Sequence, residues 1–416
     1  MQKKDFIEKY GDEPQEVTKN FAAKSLAQNY DVKDAFIEFV DNAYDARVKG
    51  ETLNTTIVID DNLHTIDICD DGSGIDNDTN LFKLGATTKE KSKDKIGKFG
   101  IGAVGALAAI ATKCAYDNNE PVIATYTSAC GGRGFTKSVA FYPDGELVIG
   151  QTSYCHCGVD EHYTKLNFTN VLVANKSEVV DALEETFENT LRNNLNISFN
   201  KRQLGKTFKP TFVGDETPLK VQVGEFTVEV LYRIVGGTTS STGKKRGKDR
   251  NFEESGLRIY DKESGRLLAK KNDYWRWFGN ISAQPNICGL RTGIFIPSTI
   301  EAYNKFGIVP AKNGVAYRKY YILEEFKGLQ EALRGIYRQA STSCRYNNEE
   351  LITVGGKVFQ FTTAKMDSIY FDTGSNGVYL VKSKPTKQEL ANLISEYVNL
   401  KNRVNKRNSN KFKKVV

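Results

Sequence analysis

The chain has 416 residues, of which 39% are hydrophobic, 26% charged and 11% aromatic, with a formal net charge of +7. Such a length is enough for two or three domains, each with its own core, and the composition excludes collagen-like, low-complexity and disulfide-stapled proteins. No run of about 18 apolar residues exists, and the opening stretch MQKKDFIEKYGDEPQEV has no apolar centre, so a soluble, cytoplasmic protein without membrane contact is expected.

From Asp34, DAFIEFVDNAYDARV repeats with helical periodicity, Phe36, Phe39, Val40 and Ala43 forming its apolar face. Two short alternating runs follow, TTIVIDD and HTIDICDD, joined by a polar turn; they predict an antiparallel hairpin. NLFKLGATTKEKSKDKIGKFGIG is rich in glycine and lysine with little periodicity and reads as a long mobile loop, and loops of that length are usually functional. AVGALAAIATKCA then reads as a small-residue helix. Strands are expected at PVIATYTS, KSVAFYP, ELVIGQT and TKLNFTNVL, followed by one helix over SEVVDALEETFENTLRNNL.

A second group of strands takes in NISFNKRQL, KVQVGEFTVEVLYRIV, GLRIYDKESGRLLA and RTGIFIPST, with the polar insertion GGTTSSTGKKRGKDRNFEESG among them. A helix around YYILEEFKGLQEALRGIYRQA closes this unit. Short strands (KVFQFTT, SIYFDT, GVYLVK) and a helix over TKQELANLISEYVNLKNRV complete the chain. The last sixteen residues, Lys401–Val416, hold seven Lys/Arg and no acid, either a solvated end or a contact for an acidic partner or phosphate backbone. The seven cysteines are scattered and odd in number, which points to a reducing compartment. The cluster CHCG with His162 nearby fits no common zinc spacing and reads as a reduced loop.

Two glycine patterns overlap in GKFGIGAVG. GIGAVG fits the dinucleotide fingerprint, but that motif needs an apolar strand directly before it, and here charged loop precedes Gly100. STGKK in the insertion fails as a phosphate loop, because the glycine spacing is wrong and Lys245 stands where Ser or Thr is required. Glu38 and Asn42, at i and i+4, share a helical stripe with Asp45. A carboxylate there can take a proton from an attacking water, and an amide oxygen can hold Mg²⁺ beside triphosphate oxygens without adding negative charge. In DDGSGI, Asp70 at a strand end can accept a hydrogen bond from an adenine amino group, while Gly72 and Gly74 let backbone approach the ring.

Acid–amide helix, hairpin, Asp-x-Gly-x-Gly, lysine-rich loop and Gly-x-x-Gly-x-Gly follow within about 70 residues, and a strand bearing Thr164 comes some 60 residues later. On EFVDNAYDA, DDGSGI, GKFGIGAVGAL and YTKLNFTNV, the chain resembles the GHKL family (gyrase, heat-shock chaperone, histidine kinase, MutL). The resemblance implies the α/β Bergerat fold, an α+β sandwich with a mixed sheet, and binding and hydrolysis of ATP with Mg²⁺. Carried across, Glu38 corresponds to the general base, Asn42 to the magnesium ligand and Asp70 to the adenine-reading carboxylate. Gly97, Gly100 and Gly102 correspond to the lid that cradles phosphate, and Thr164 to the threonine supporting Asp70 through water. Asp45, Ile75, Lys98, Phe99 and Ile101 lie in the same motifs and are expected to line the nucleotide site. Tyr163 departs from the pattern, standing where a glycine often precedes the threonine.

A histidine kinase would carry a phosphoacceptor histidine on a preceding helical hairpin, and none of His64, His156 or His162 occupies such a place. GLRIYDKESGRLL followed by GIFIPS resembles the ribosomal-S5-like transducer of the microrchidia (MORC) ATPases, which would make Lys312 of VPAKNGVAY the lysine that reaches the γ-phosphate; an ordinary surface lysine in an Asn-Gly turn is the alternative. The domains expected are 1–195 for ATP binding, 196–345 as transducer and 346–416 as a small C-terminal segment with the basic tail. The resemblance further implies a homodimer that closes on ATP, with DNA or a protein client as partner. A chaperone-like ATPase and a nucleotide-gated adaptor with little turnover share the same motifs.

Overall fold

The computed structural model describes residues 3–10, 27–28, 30–48, 50–76, 81–82, 102–205, 218–234, 256–271, 274–279, 290–309, 312, 314–316, 323–345, 349–354, 357–363, 368–371, 378–381 and 392. Helix α1 (Lys3–Tyr10) precedes α2 (Val32–Asp45), whose first turn is tied by a hydrogen bond from the Asp31 backbone to Asp34 Oδ2 at 3.1 Å. Strands β1 (Leu53–Asp60) and β2 (Thr65–Asp70) form the expected hairpin, Ile57 facing Ile68 and Thr55 facing Asp70. In β1 the alternation buries Leu53, Thr55 and Ile57 and exposes Asn54, Thr56 and Val58. The same two-residue period in β2 turns Ile66, Ile68 and Asp70 inward together, so a carboxylate ends up on the core face.

Helix α3 (Gly102–Lys113) is followed by β3 (Val122–Cys130), β4 (Arg133–Phe141), β5 (Leu147–Ile149), β6 (Ser153–His156) and β7 (His162–Thr169), then α4 (Lys176–Thr186), β8 (Leu195–Phe199) and β9 (Arg202–Gln203). Together these strands make one nine-stranded mixed sheet in the order β5-β4-β3-β7-β2-β1-β8-β9, with β6 paired to β4. Helix α2 packs Phe39 onto this sheet, its ring centroid 5.7 Å from that of Phe168 on β7. Phe36, Phe39, Val40, Leu107, Ile110, Ile66, Ile68 and Phe168 share one buried cluster, each large apolar side chain contributing roughly 1.5–3 kcal/mol of burial. Glycine 105 lies on α3 against the Tyr30 ring.

The second sheet consists of β10 (Leu219–Val223), β11 (Phe226–Ile234), β12 (Gly256–Asp261), β13 (Leu267–Lys271) and β14 (Leu290–Ile296), in the order β10-β11-β14-β12-β13. Helices α5 (Tyr274–Gly279), α6 (Ile300–Lys305) and α7 (Lys327–Arg345) accompany it around a separate core that includes Ile259, Phe278, Ile294, Phe306, Phe326 and Leu333. A third, four-stranded antiparallel sheet runs β15 (Glu349–Val354), β16 (Lys357–Thr363), β17 (Ser368–Phe371), β18 (Val378–Val381).

Three expectations change. A boundary at 195/196 cuts the first sheet: β8 pairs in parallel with β1, Leu53 beside Leu195 and Ile57 beside Phe199, and buries Leu195, Ile197 and Phe199 in the first core. NISFNKRQL therefore belongs to the first unit, and the first sheet runs to Gln203. The single helix over SEVVDALEETFENTLRNNL stops at Thr186, because the residues after it are held by the second unit: Glu188 pairs with Arg291, and Thr190 Oγ1 donates to the Ser264 carbonyl at 2.8 Å. CHCG is no loop at its start, since Tyr154, Cys155 and His156 lie in β6 and Cys155 pairs with Gly134 of β4. The insertion at 235–255 and nearly all of the terminal helix and basic tail lie outside the described residues.

Candidate active site

Helix α2 carries Glu38, Asn42 and Asp45 as its spacing requires; Glu38 and Asp45 are buried and Asn42 is half-buried. Glu38 abuts the first residue of α3. A Cβ placed on Gly102 would lie 1.7 Å from Glu38 Oε1, so only glycine leaves room for the carboxylate. Glu38 Oε2 is buried, and the Lys312 ammonium lies 3.1 Å from it. Burial pushes the Glu38 carboxyl above the usual range, further helped by the charge of Asp41 and opposed by Lys312 and Arg266. A buried carboxylate beside Gly102, with its affinity for a proton raised, suits a base that takes a proton from water.

The other wall comes from the end of β2 and the turn after it. Asp70 is buried, its Oδ1 accepting the Gly72 backbone N–H at 3.0 Å, and burial raises its pKa to about 6. Across the β2–β7 ladder Asp70 stands opposite Thr164, and across the β3–β7 ladder Thr164 stands opposite Ser128. The turn is fixed at both ends: Ser73 donates to the Ala46 carbonyl at the end of α2 at 2.6 Å, and Ile75 donates to Ser128 Oγ at 2.8 Å. Gly74 takes φ +73°, and a Cβ there would come 2.0 Å from the Ala129 carbonyl oxygen. Strand β3 thus presses directly on the turn.

Lys312 is no surface lysine. It is 3% exposed, holds φ +53°, and sends Nζ to 2.6 Å from Asp41 Oδ2 and 3.1 Å from Glu38 Oε2. Burial alone would lower the pKa of its ammonium, but the carboxylates of Asp41 and Glu38 outweigh it and raise the pKa. Arg266 completes the group, donating from Nε to Asp41 Oδ1 at 2.6 Å. Two acids of the first unit and two bases of the second therefore meet in a buried, charge-balanced cluster, the condition under which buried ions are tolerated.

Sequence reasoning missed Asp41, Arg266 and Ser128. Asp41 had a readable signal: an acid within the apolar stretch of α2, with Ile37 and Asp45 four residues either side, has no local basic partner and must find one elsewhere. Arg266 follows the turn between β12 and β13 and gives no such sign. Gly97, Lys98, Phe99, Gly100 and Ile101 lie outside the described residues, so of the lid motif the structure places Gly102 alone. Among the described residues no helix is long and apolar enough to cross a membrane, and no group of three His, Cys, Asp or Glu side chains is arranged to hold a metal ion.

Residues 30–127 match a family described as histidine kinase-, DNA gyrase B-, and HSP90-like ATPase. No curated protein matches the chain significantly. Among solved structures, the chain is similar to the ATPase region of Saccharomyces cerevisiae topoisomerase II at 13% identity and TM-score 0.41, covering 75% of this chain and 86% of that one. It is also similar to the ATPase and transducer domains of DNA topoisomerase II from Balamuthia mandrillaris at 14% identity and TM-score 0.41, covering 75% of this chain and 85% of that one. The matched segment spans α2, the β1–β2 hairpin, α3 and most of β3, so it is residues 30–127 that resemble a histidine kinase-, DNA gyrase B-, and HSP90-like ATPase.

Proposed function

We propose that the chain is a Mg²⁺-dependent ATPase in which Glu38 is the general base and nucleotide state sets the geometry between two units, 1–205 and 218–345. The supporting observation is the meeting of Glu38 with Gly102 on one side and Lys312 on the other. Asp70 reads the adenine amino group, Thr164 supports it from the neighbouring strand, and Gly72, Gly74, Ile75 and Asp45 belong to the surrounding wall. Residues 97–102 close over the phosphates, with Lys98, Phe99 and Ile101 between their glycines. Asn42, half-buried on the stripe that carries Glu38, would hold Mg²⁺, and its amide oxygen suits that hard cation. The metal supplies neutralisation of phosphate charge. Water is oriented by Glu38, which takes its proton as the water oxygen bonds to the γ-phosphorus and the bond to the β,γ-bridging oxygen breaks. The released phosphate departs, and ADP retains the bridging oxygen.

Lys312 comes from the second unit and contacts the γ-phosphate, a charge-assisted interaction available only while triphosphate is bound. This couples hydrolysis to movement of a transducer-like domain and to closure of a homodimer, in the manner of a MORC- or MutL-like clamp on DNA. The basic end of the chain and the TGKKRGKDR segment supply charge for that partner. Glu38→Ala is expected to keep ATP binding while lowering turnover by about 10²–10⁴-fold. Unchanged turnover removes Glu38 as the base. Sizing with a non-hydrolysable ATP analogue, with and without duplex DNA at low salt, tests the clamp; no dimer sinks the closure, and no DNA effect on size or rate sinks the DNA partner in favour of a protein client.

A further inference from the structure

The carboxylate of Asp41 divides its two oxygens between two residues of the second unit. Oδ1 accepts from Arg266 Nε at 2.6 Å, and Oδ2 accepts from Lys312 Nζ at 2.6 Å. Arg266 then turns back on the same lysine: its Nη1 donates to the Lys312 carbonyl at 3.2 Å and to the Leu267 carbonyl at 2.9 Å. The three residues form a closed circuit. Asp41 is fully buried and Arg266 and Lys312 nearly so, so water does not compete for these bonds.

Lys312 needs such restraint. Its φ of +53° lies in the left-handed region, a conformation that a lysine adopts only under restraint. Its backbone N–H donates to the Val309 carbonyl at 2.7 Å, and Val309 in turn donates to the Gly314 carbonyl at 3.1 Å, closing a tight loop. One loop alone would leave four side-chain torsions free to aim the ammonium anywhere. The circuit fixes both ends, the carbonyl through Arg266 and the ammonium through Asp41, and leaves Nζ 3.1 Å from Glu38 Oε2.

We propose that Asp41 and Arg266 are positioning residues that hold Lys312 against the site, the Asp41 carboxylate and the Arg266 guanidinium together forming the joint through which the second unit acts on hydrolysis. This rests on the reading of Glu38 as base and Lys312 as the γ-phosphate contact. Asp41 and Arg266 bond to both ends of Lys312, and their opposite charges also bear on the Glu38 carboxyl in opposite senses.

The test is steady-state ATP hydrolysis by the full chain, with affinity for a fluorescent ATP analogue measured alongside. Asp41→Asn keeps the shape and removes the charge, and is expected to lower kcat by about ten-fold or more while KM and nucleotide affinity stay within about two-fold. Arg266→Lys keeps the charge but not the fork that reaches both Asp41 and the Lys312 carbonyl, and is expected to show the same split. In a Lys312→Ala background neither change should lower kcat further, because residues acting as one unit are not additive. Asp41→Glu, which retains the charge, should recover part of the rate.

An Asp41→Asn or Arg266→Lys protein with unchanged or raised kcat overturns the inference, as does a loss that multiplies with that of Lys312→Ala. If Asp41→Asn melts below the assay temperature, Arg266→Lys decides alone. Should Lys312→Ala itself turn over like the parent, the underlying reading of Lys312 falls; a defective Lys312→Ala beside an unaffected Asp41→Asn sinks the positioning role and leaves that reading standing.

Discussion

The carboxylate of Glu38 occupies the space that a side chain at position 102 would need, since a Cβ on Gly102 would stand 1.7 Å from Oε1 and 2.1 Å from Cδ. The two residues come from different helices, so their fit sets how closely α2 approaches the start of α3. Gly102→Ala must displace Glu38 or tilt α3. It is expected to cost about 1–3 kcal/mol of stability through overpacking and to depress ATP turnover together with the melting temperature. Wild-type values for both would show that Glu38 does not rest where it is described.

Asp70 titrates in opposite senses for folding and for binding. Burial raises its pKa from the ordinary 3.8 to about 6, so the folded state holds the proton more tightly than the unfolded chain does. The stability this contributes is complete below about pH 4 and is lost as pH rises through 6, an effect of about 3 kcal/mol at most. If Asp70 reads the adenine amino group as proposed, its ionised form is the stronger acceptor and recognition strengthens over the same window. Asp70→Asn should therefore flatten the pH dependence of melting and remove the rise in ATP-analogue affinity between about pH 5 and 7, measured by thermal scans and titration.

Removing the Lys312 ammonium leaves Asp41 and Glu38 buried near each other with one cation fewer. Lys312→Met, similar in length and uncharged, is expected to lower stability by about 3–5 kcal/mol, the usual cost of stranding a buried charge. Adding Glu38→Gln should return part of that loss. Chemical denaturation of both proteins checks the pair, and equal stability of the single and double variants would contradict the shared environment.

A second belt joins the units away from the site. Glu188 is buried against Arg291 and the Tyr260 hydroxyl, and Asn189 Nδ2 donates to the Gly265 carbonyl at 3.3 Å. Glu188→Ala removes the buried carboxylate beside Arg291, whose Nη2 also donates to the Tyr260 hydroxyl at 3.2 Å, and should cost about 3–5 kcal/mol. Calorimetry should show the melting of the two units separating, because their cores are distinct clusters. A single transition of unchanged midpoint would mean that the belt carries no coupling.

Local chemistry made the first unit readable. The β1–β2 hairpin, the inward turn of Asp70 and the glycines around it follow from alternation and spacing, and the register that sets Thr164 across from Asp70 agrees with the order of the motifs. What stayed hidden depends on partners far along the chain. Asp41 and Lys312 are separated by 271 positions, and no local pattern announces that they meet. NISFNKRQL alternates like any strand, and nothing within it says which sheet it joins. The short helix α5, Tyr274–Gly279, has too few residues to show a period.

The pairing of β8 with β1 has a consequence for how the molecule is made. Strand β1 sits next to the hairpin partner β2 on one side and to β8 on the other, and β8 emerges from the ribosome about 140 residues later. Until then the flank of Leu53–Ile57 stays open, with unpaired backbone groups that invite association between nascent chains. A fragment that stops at residue 195 keeps that open flank permanently, whereas one carried through Gly205 closes it.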